Sequence, residues 1–285
     1  MFVYLLLFAC LYATFDCING REQYLNIASF NVRMFGQATM AKPKVVQVLK
    51  KIIRRYHVIL IQEIRDNSNT SIHELLRIVN YRLWRGHKYR MKLSKRLGRT
   101  QSKEQYAFLY RENKIRVTAE DLYNDSSGLM NDTFEREPFA VKVHSRHTDV
   151  KTFAMVGVHI KPDRAEKELS EMVTVYDYYE QLFNTSNIIM MGDFNADCSY
   201  IRTRHFHFHD LKKDRRFRWY INDDQDTTVS ASNCAYDRFI VAGETLQDSI
   251  VSNSAQVLRF DEVYDLTKEE ALSVSDHYPI ALRLR

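Results

Sequence analysis

Residues able to do acid–base or metal chemistry recur in this chain directly after short apolar runs. Asn31 follows Ala28-Ser29-Phe30, Glu63 follows Ile59-Leu60-Ile61-Gln62, and His159 follows Val156-Gly157-Val158. Asp193 and Asn195 follow Ile188-Ile189-Met190-Met191-Gly192. Singly, each reads as a side chain capping a turn. Their repetition argues instead for one rim at which adjacent strand ends assemble a site. Oxygen donors from Glu, Asp and Asn suit a hard cation such as Mg²⁺, which keeps several waters and shares phosphate oxygens. Phosphodiester hydrolysis needs such an ion, a base for the attacking water and an acid for the leaving oxygen. A histidine beside a carboxylate supplies either proton function, because the carboxylate fixes the tautomer and stabilises the cation. His159 and His277 are the candidates, with Glu104 and Asp237 as the acids.

Positioning these groups falls to the apolar runs themselves. Stretches at 24–30, 58–61, 106–110, 139–143, 153–158, 188–191, 239–242 and 280–284 have the length and the branched or aromatic content of buried strands. Between them, Val45, Val46, Leu49, Ile52, Ile53 and Tyr56 recur at helical steps. So do Leu169, Met172, Val173, Tyr176 and Tyr179. The pattern predicts an α/β fold: a four-layer sandwich of two packed mixed sheets flanked by helices. Eight glycines and four prolines, with no repeat or linker, leave little room for a domain break.

The chain of 285 residues opens on an apolar run, Met1 to Tyr12, with no charge before Asp16. That run is too short to span a bilayer and sits where a signal-peptide core belongs. Residues 1–20 are therefore expected to be a signal peptide, 21–285 a single catalytic domain, and the product a secreted, extracellular protein. No later stretch is apolar enough for a membrane helix, so a membrane partner is not expected. With Cys10 and Cys17 removed, Cys198 and Cys234 remain as an even pair for an oxidising compartment. Asn-x-Ser/Thr acceptors at Asn69, Asn124, Asn131 and Asn184 suit a glycoprotein. The formal charge of +5 permits nucleic acid, heparin or an anionic surface as partner and does not choose among them.

Three segments, Gly192-Asp193-Phe194-Asn195-Ala196, Ser275-Asp276-His277-Tyr278-Pro279 and Ile61-Gln62-Glu63-Ile64-Arg65-Asp66, resemble the endonuclease/exonuclease/phosphatase superfamily. Ser29-Phe30-Asn31-Val32-Arg33, Lys103 to Phe108, Asn131 to Pro138 and Cys234-Ala235-Tyr236-Asp237-Arg238 narrow the resemblance to the deoxyribonuclease I family, including its gamma-type relatives. It runs from about Leu25 to the last residue. The resemblance implies an endonuclease for double-stranded DNA with little sequence specificity, leaving 5′-phosphate and 3′-hydroxyl ends. It implies Mg²⁺ or Mn²⁺ at the site and Ca²⁺ as a structural or activating ion. Glu104 with His159 and Asp237 with His277 would form two acid–histidine pairs, His159 serving the leaving 3′-oxygen and His277 the water. Glu63, Asn31 and Asp276 would hold the catalytic metal, and Asp193 and Asn195 would orient the phosphate, the nucleophile or a second metal. Arg33, Arg65, Arg136 and Arg99 would contact DNA phosphates. Cys198 and Cys234 match the family's structural disulfide, and Asp226 a structural Ca²⁺ loop.

The chain also departs from the family. Ser102 stands where a Tyr usually lies along the minor groove, and 125–130 lacks a small disulfide loop. Where some relatives dock monomeric actin, Met91, Leu93 and Lys95 replace an aromatic anchor and an acidic group, so actin binding is expected to be weak or absent. A monomer is expected. His205, His207 and His209 alternate with Phe and are read as a surface segment. Eight basic residues from Arg85 to Lys103 precede Glu104 without an intervening acid. Lys95, Arg96, Arg99 and Lys103, nearest Glu104, are expected to add phosphate contacts. Rival activities on the same scaffold are a sphingomyelinase, an inositol-phosphate phosphatase or an abasic endonuclease. A silent DNA- or heparin-binding protein is the non-enzymatic rival, and it would require a lost catalytic group.

Overall fold

Neighbouring residues of the apolar runs are buried on opposite sides, which is why the runs are continuous rather than alternating. Val58 and Leu60 lie in one apolar cluster while Ile59 and Ile61 lie in another. Ile189 and Met191 join the former cluster, and Ile188 and Met190 a third. Three buried clusters separated by two sheets make the four layers of a helix–sheet–sheet–helix sandwich. The structure is a computed structural model that describes residues 24–125, 132–201 and 209–285. The expected signal peptide with Cys10 and Cys17, the acceptor Asn131, and His205 and His207 lie outside those residues.

The first sheet has the order β11 (Gln256–Val257), β12 (Ile280–Leu284), β1 (Leu25–Phe35), β2 (Val58–Ile64), β4 (Gln105–Arg111) and β3 (Tyr89–Leu93). The second has the order β5 (Arg116–Leu122), β6 (Phe139–His144), β7 (Thr152–His159), β8 (Ile188–Asp193), β10 (Asp237–Ala242) and β9 (Arg218–Tyr220). Each sheet holds one parallel pair at its centre, β1–β2 and β7–β8, with antiparallel neighbours on either side. Each pair is joined across an outer face by a helix: α1 (Pro43–Arg54) for the first and α3 (Ala165–Phe183) for the second. Two further helices, α2 (Ser71–Asn80) and α4 (Lys268–Val274), cover the first sheet. The last strand, β12, inserts between β11 and β1, pairing Leu25 with Leu284 and Ser29 with Ile280.

Local signals start and stop these helices. Pro43 sits in the first turn of α1, whose missing N–H is harmless there. Thr267 and Glu270 form a reciprocal capping box on α4. Asn184 ends α3 in the left-handed conformation. The start of α2 is held by Asp66, whose carboxylate accepts from Ser68 N–H and Oγ–H and from the Thr70 and Ser71 N–H groups at 2.7–2.9 Å. Burial would raise this carboxyl, but the hydrogen bonds from Ser68 and Ser71 outweigh it and hold it well below the usual carboxylate range. A depressed folded-state pKa stabilises fully above the unfolded value near 4 and is lost as pH falls below it. Asp66→Ala is therefore expected to cost about 1–2 kcal/mol at neutral pH. Denaturant melts should show that gap closing below about pH 4; a gap independent of pH would refute the assignment.

Candidate active site

The two parallel strand pairs end at one rim, and the first pair is irregular there. The β1–β2 register shifts between Asn31 and Phe35, and the β2–β4 register between Ile61 and Ile64. Met34 and Glu63 take up left-handed backbone, with φ of 52° and 56°. For residues with a side chain this conformation costs about 1–3 kcal/mol and is retained where the surroundings impose it. The result is that Glu63 Oε1 accepts from Asn31 Nδ2 at 3.2 Å and Oε2 from the Met34 N–H at 3.0 Å. The second pair is set by Gly192, whose φ is +141°. A Cβ there would lie 2.0 Å from the Val158 carbonyl oxygen and 2.9 Å from Gln62 Nε2, so glycine alone allows β8 to approach β7 and deliver Asp193.

Two acid–histidine pairs face each other across this rim. His159 Nδ1 lies 2.8 Å from Glu104 Oε2, and His277 Nδ1 lies 2.8 Å from Asp237 Oδ2. Their other nitrogens converge: His159 Nε2 is 3.6 Å and His277 Nε2 3.7 Å from the same oxygen, Asp193 Oδ2. That oxygen also accepts from Asn31 Nδ2 at 3.1 Å. Asp193 Oδ1 accepts from the Asn195 N–H, and Asn195 Nδ2 donates to the Ile160 carbonyl. Asn195 thus fixes Asp193 and the turn after β7. Glu104, His159, Asp237, His277, Asp193, Asn31, Glu63 and Asn195 are thus brought to this one place.

Charge within the site is tightly arranged. Burial alone would raise the Glu104 carboxyl, but His159, Arg136 and Arg65 bring it down to about 2. Arg65 Nη2 donates to Glu104 Oε1 at 2.6 Å and lies 3.2 Å from Glu63 Oε2. Arg136 reaches Glu104 Oε1 at 3.4 Å and donates from Nε to the His159 carbonyl at 3.0 Å. Burial lowers His277, yet Asp237 and Asp193 raise it to about 10. Both rings are held by a carboxylate at Nδ1 and turn Nε2 to the same Asp193 oxygen.

The arginines expected on DNA differ in what they touch. Arg33 is half exposed, its side chain 53% accessible, beside Asp276 with Nε to Oδ2 at 3.4 Å. Arg65 and Arg136 brace Glu104, and the Arg136 side chain is only 11% accessible. Arg99 is committed to the Asp132 and Phe134 carbonyls and the Asp132 carboxylate. Arg96 donates to the Lys103 carbonyl, whereas Lys95 and Lys103 are exposed.

Several positioning groups are not singled out by sequence patterns. The Tyr106 hydroxyl accepts the His159 N–H at 2.8 Å. Ser275 Oγ donates to the Asn31 carbonyl and accepts from the Arg33 and His277 N–H groups, stitching β1 to the histidine-bearing loop. Thr227 Oγ1 accepts from the Tyr236 and Asp237 N–H groups. Glu168, fully buried on α3, accepts from the Glu135 and Lys161 N–H groups. Tyr106 and Ser275 at least adjoin catalytic-type residues in the sequence. Glu168 carries one weak signal, a carboxylate next to Leu169 on the apolar face of α3.

Cys198 and Cys234 are bonded, with Cα atoms 5.9 Å apart. Beside the bond, Asp197 accepts from the Cys198 and Ala235 N–H groups, pinning the segment after β8 to the one before β10. Asp226 Oδ1 accepts from Thr228 N–H, Thr228 Oγ–H and the Cys234 N–H, so this carboxylate organises the 226–234 loop. Among the described residues no group of three or more His, Cys, Asp or Glu side chains is gathered to hold an ion. A hexahydrated-type cation needs no such cage, since one or two carboxylates suffice. Asn31 Oδ1 and Asp276 Oδ1 are buried and lack hydrogen-bond partners, and Asn31 adjoins Glu63. Unsatisfied buried oxygens in a carboxylate-bearing rim are what a hard cation would satisfy, so the donor set fits one.

A sandwich with paired acid–histidine groups at one rim defines a class, and comparison with known proteins agrees. The Endonuclease/Exonuclease/phosphatase family profile matches residues 28–277, and the chain belongs to that family. It is 42% identical over 262 residues to human Deoxyribonuclease gamma, covering 92% of this chain and 86% of that protein. Bovine Deoxyribonuclease-1 is 40% identical over 261 residues, covering 91% and 92%. Among solved structures, an endonuclease/exonuclease/phosphatase family protein from Leptotrichia buccalis superposes with a TM-score of 0.65 at 17% identity, over 92% of this chain and 99% of that one. Nucleases of this family generally use divalent metal ions.

Proposed function

We propose that the protein is a secreted, divalent-metal-dependent endonuclease that hydrolyses double-stranded DNA, leaving 5′-phosphate and 3′-hydroxyl ends. One observation carries this reading: two carboxylate-braced imidazoles approach a single Asp193 oxygen at 3.6 and 3.7 Å. Paired in that way, one ring takes the proton of water while the other protonates the departing oxygen. Sequence similarity to deoxyribonucleases over nine-tenths of the chain supports DNA as substrate.

Glu63, Asn31 and Asp276 would hold Mg²⁺ or Mn²⁺, which when bound offsets charge on the phosphoryl group. Asp193 and Asn195 orient the phosphate or nucleophile; Arg33, Arg65 and Arg136 form the cationic border of the site, and Arg99 fixes its outer loop. Ca²⁺ acts as a structural or activating ion, with Asp226 its nearest candidate ligand. The purified protein is expected to nick plasmid DNA with Mg²⁺ and to stop on addition of EDTA. EGTA should reduce activity to the extent that Ca²⁺ contributes. Monomeric actin is expected not to inhibit, since Met91 and Leu93 on β3 and Lys95 just past it offer neither an aromatic anchor nor an acidic group. EDTA-insensitive nicking, or none under any metal, would overturn the reading.

A further inference from the structure

A second surface lies at the far end of the first sheet. Glu104 directly precedes β4, and Arg111 closes it beside Tyr89, about 20 Å away for seven extended residues. Beyond Tyr89, the 81–88 loop projects Trp84 and Tyr81, which are 84% and 56% accessible. Trp84 is flanked by Arg82, Arg85 and Lys88, all exposed. Arg82 and Lys50 lie over the Tyr81 ring, at 5.3 and 5.9 Å, joining the loop to the end of α1. Arg54 completes the join by donating to the Tyr81 carbonyl. The acids nearby, Glu74 and Glu112, are already paired with Arg77 and Arg90. Between α2 and the loop is an open hollow of about 510 Å³, lined by Leu76, Leu83, Arg77, Arg82 and Lys88 among others.

The geometry points to a docking surface for anionic phospholipid membranes, distinct from the DNA-cleaving rim. Basic side chains would suit DNA as well, but the exposed rings decide between the two. A duplex keeps its bases stacked and offers an indole nothing to stack on, whereas single strands would. At a bilayer interface Trp and Tyr find their preferred setting, with the ring among the headgroups. Each neighbouring Lys or Arg gains about 1 kcal/mol there, roughly a fivefold factor in affinity. The hollow, apolar with a cationic border, accommodates a phosphate headgroup beside the ring. No helix among the described residues is long and apolar enough to cross a membrane, so the contact is peripheral.

The test uses the full chain and its own fluorescence. Its two tryptophans are Trp84 and Trp219, and Trp219 is half-buried against Phe194 and Lys212. Vesicles of phosphatidylcholine with 30% phosphatidylserine should sediment the protein and shift its emission to the blue; pure phosphatidylcholine should do neither. Trp84→Ala should abolish the shift and weaken binding roughly tenfold. The triple change Arg82→Gln, Arg85→Gln and Lys88→Gln should weaken it on the order of 100-fold. Both variants should nick plasmid normally, showing that they fold. Absence of binding to the anionic vesicles, or binding that these variants leave unchanged, would overturn the proposal. So would displacement from vesicles by a nuclease-resistant phosphorothioate duplex, which would make the surface a nucleic-acid face.

Discussion

His277→Ala is expected to lower the rate of plasmid nicking by at least ~100-fold, and His159→Ala by a similar factor. Each loss follows from geometry on one side of Asp193. Removing His277 takes away a proton-transfer ring and leaves Asp237 fully buried without its 2.8 Å partner. Removing His159 leaves Glu104 still bound to Arg65 and Arg136. Both variants should therefore fold, as circular dichroism and thermal melts can verify. They should not be additive: a double variant is expected to lose little beyond the worse single one, because the rings act on one reaction. A well-folded His277→Ala protein with near-normal nicking would remove the assignment altogether.

Reduction of the Cys198–Cys234 bond should have the largest effect on stability. The bond closes a loop of 36 residues, and loop entropy assigns such a link about 4 kcal/mol. For a chain of this size that corresponds to a fall in melting temperature of roughly 10 °C. Activity should fall as well, because the bond and Asp197 tie the segment after Asp193 to the one before Asp237. Melts of oxidised and reduced protein, with Cys198→Ser/Cys234→Ser alongside, provide the measurement. Equal melting temperatures would show that the Asp197 contacts alone hold the loop.

Which strands are legible in the sequence depends on their place in the sheets. The eight apolar runs became β1, β2, β4, β6, β7, β8, β10 and β12, all inner strands. The four without a run, β3, β5, β9 and β11, are the four edges. An inner strand here is buried on both faces and reads as continuous apolar residues, while an edge carries charge, as in Tyr89–Leu93 and Arg116–Leu122. Arg90 and Lys92, which in sequence belong to a basic stretch, pair with Glu112 and Glu120. At the site, residue types and their placement after apolar runs single out Asn31, Glu63, His159, Asp193 and Asn195. The pairing of Glu104 with His159 and of Asp237 with His277 is implied only by the family resemblance. Their fixing is not legible, because it rests on backbone detail: the left-handed Glu63, the Ser275 hydroxyl, and Arg65 and Arg136 turned onto Glu104.

The insertion of β12 between β11 and β1 gives this nuclease an order in time. One neighbour of β1 is β12, far along the chain, so Leu25 waits for Leu284. Until then the first sheet lacks an inner strand, and His277, three residues ahead of β12, has no fixed position against Asp237. Pairings this distant in sequence form slowly and late. The second sheet, whose six strands are consecutive in sequence from β5 to β10, is complete before that point. The second proton-transfer group is thus set in place only when β12 inserts, so a folding intermediate with the second sheet formed holds half of the site.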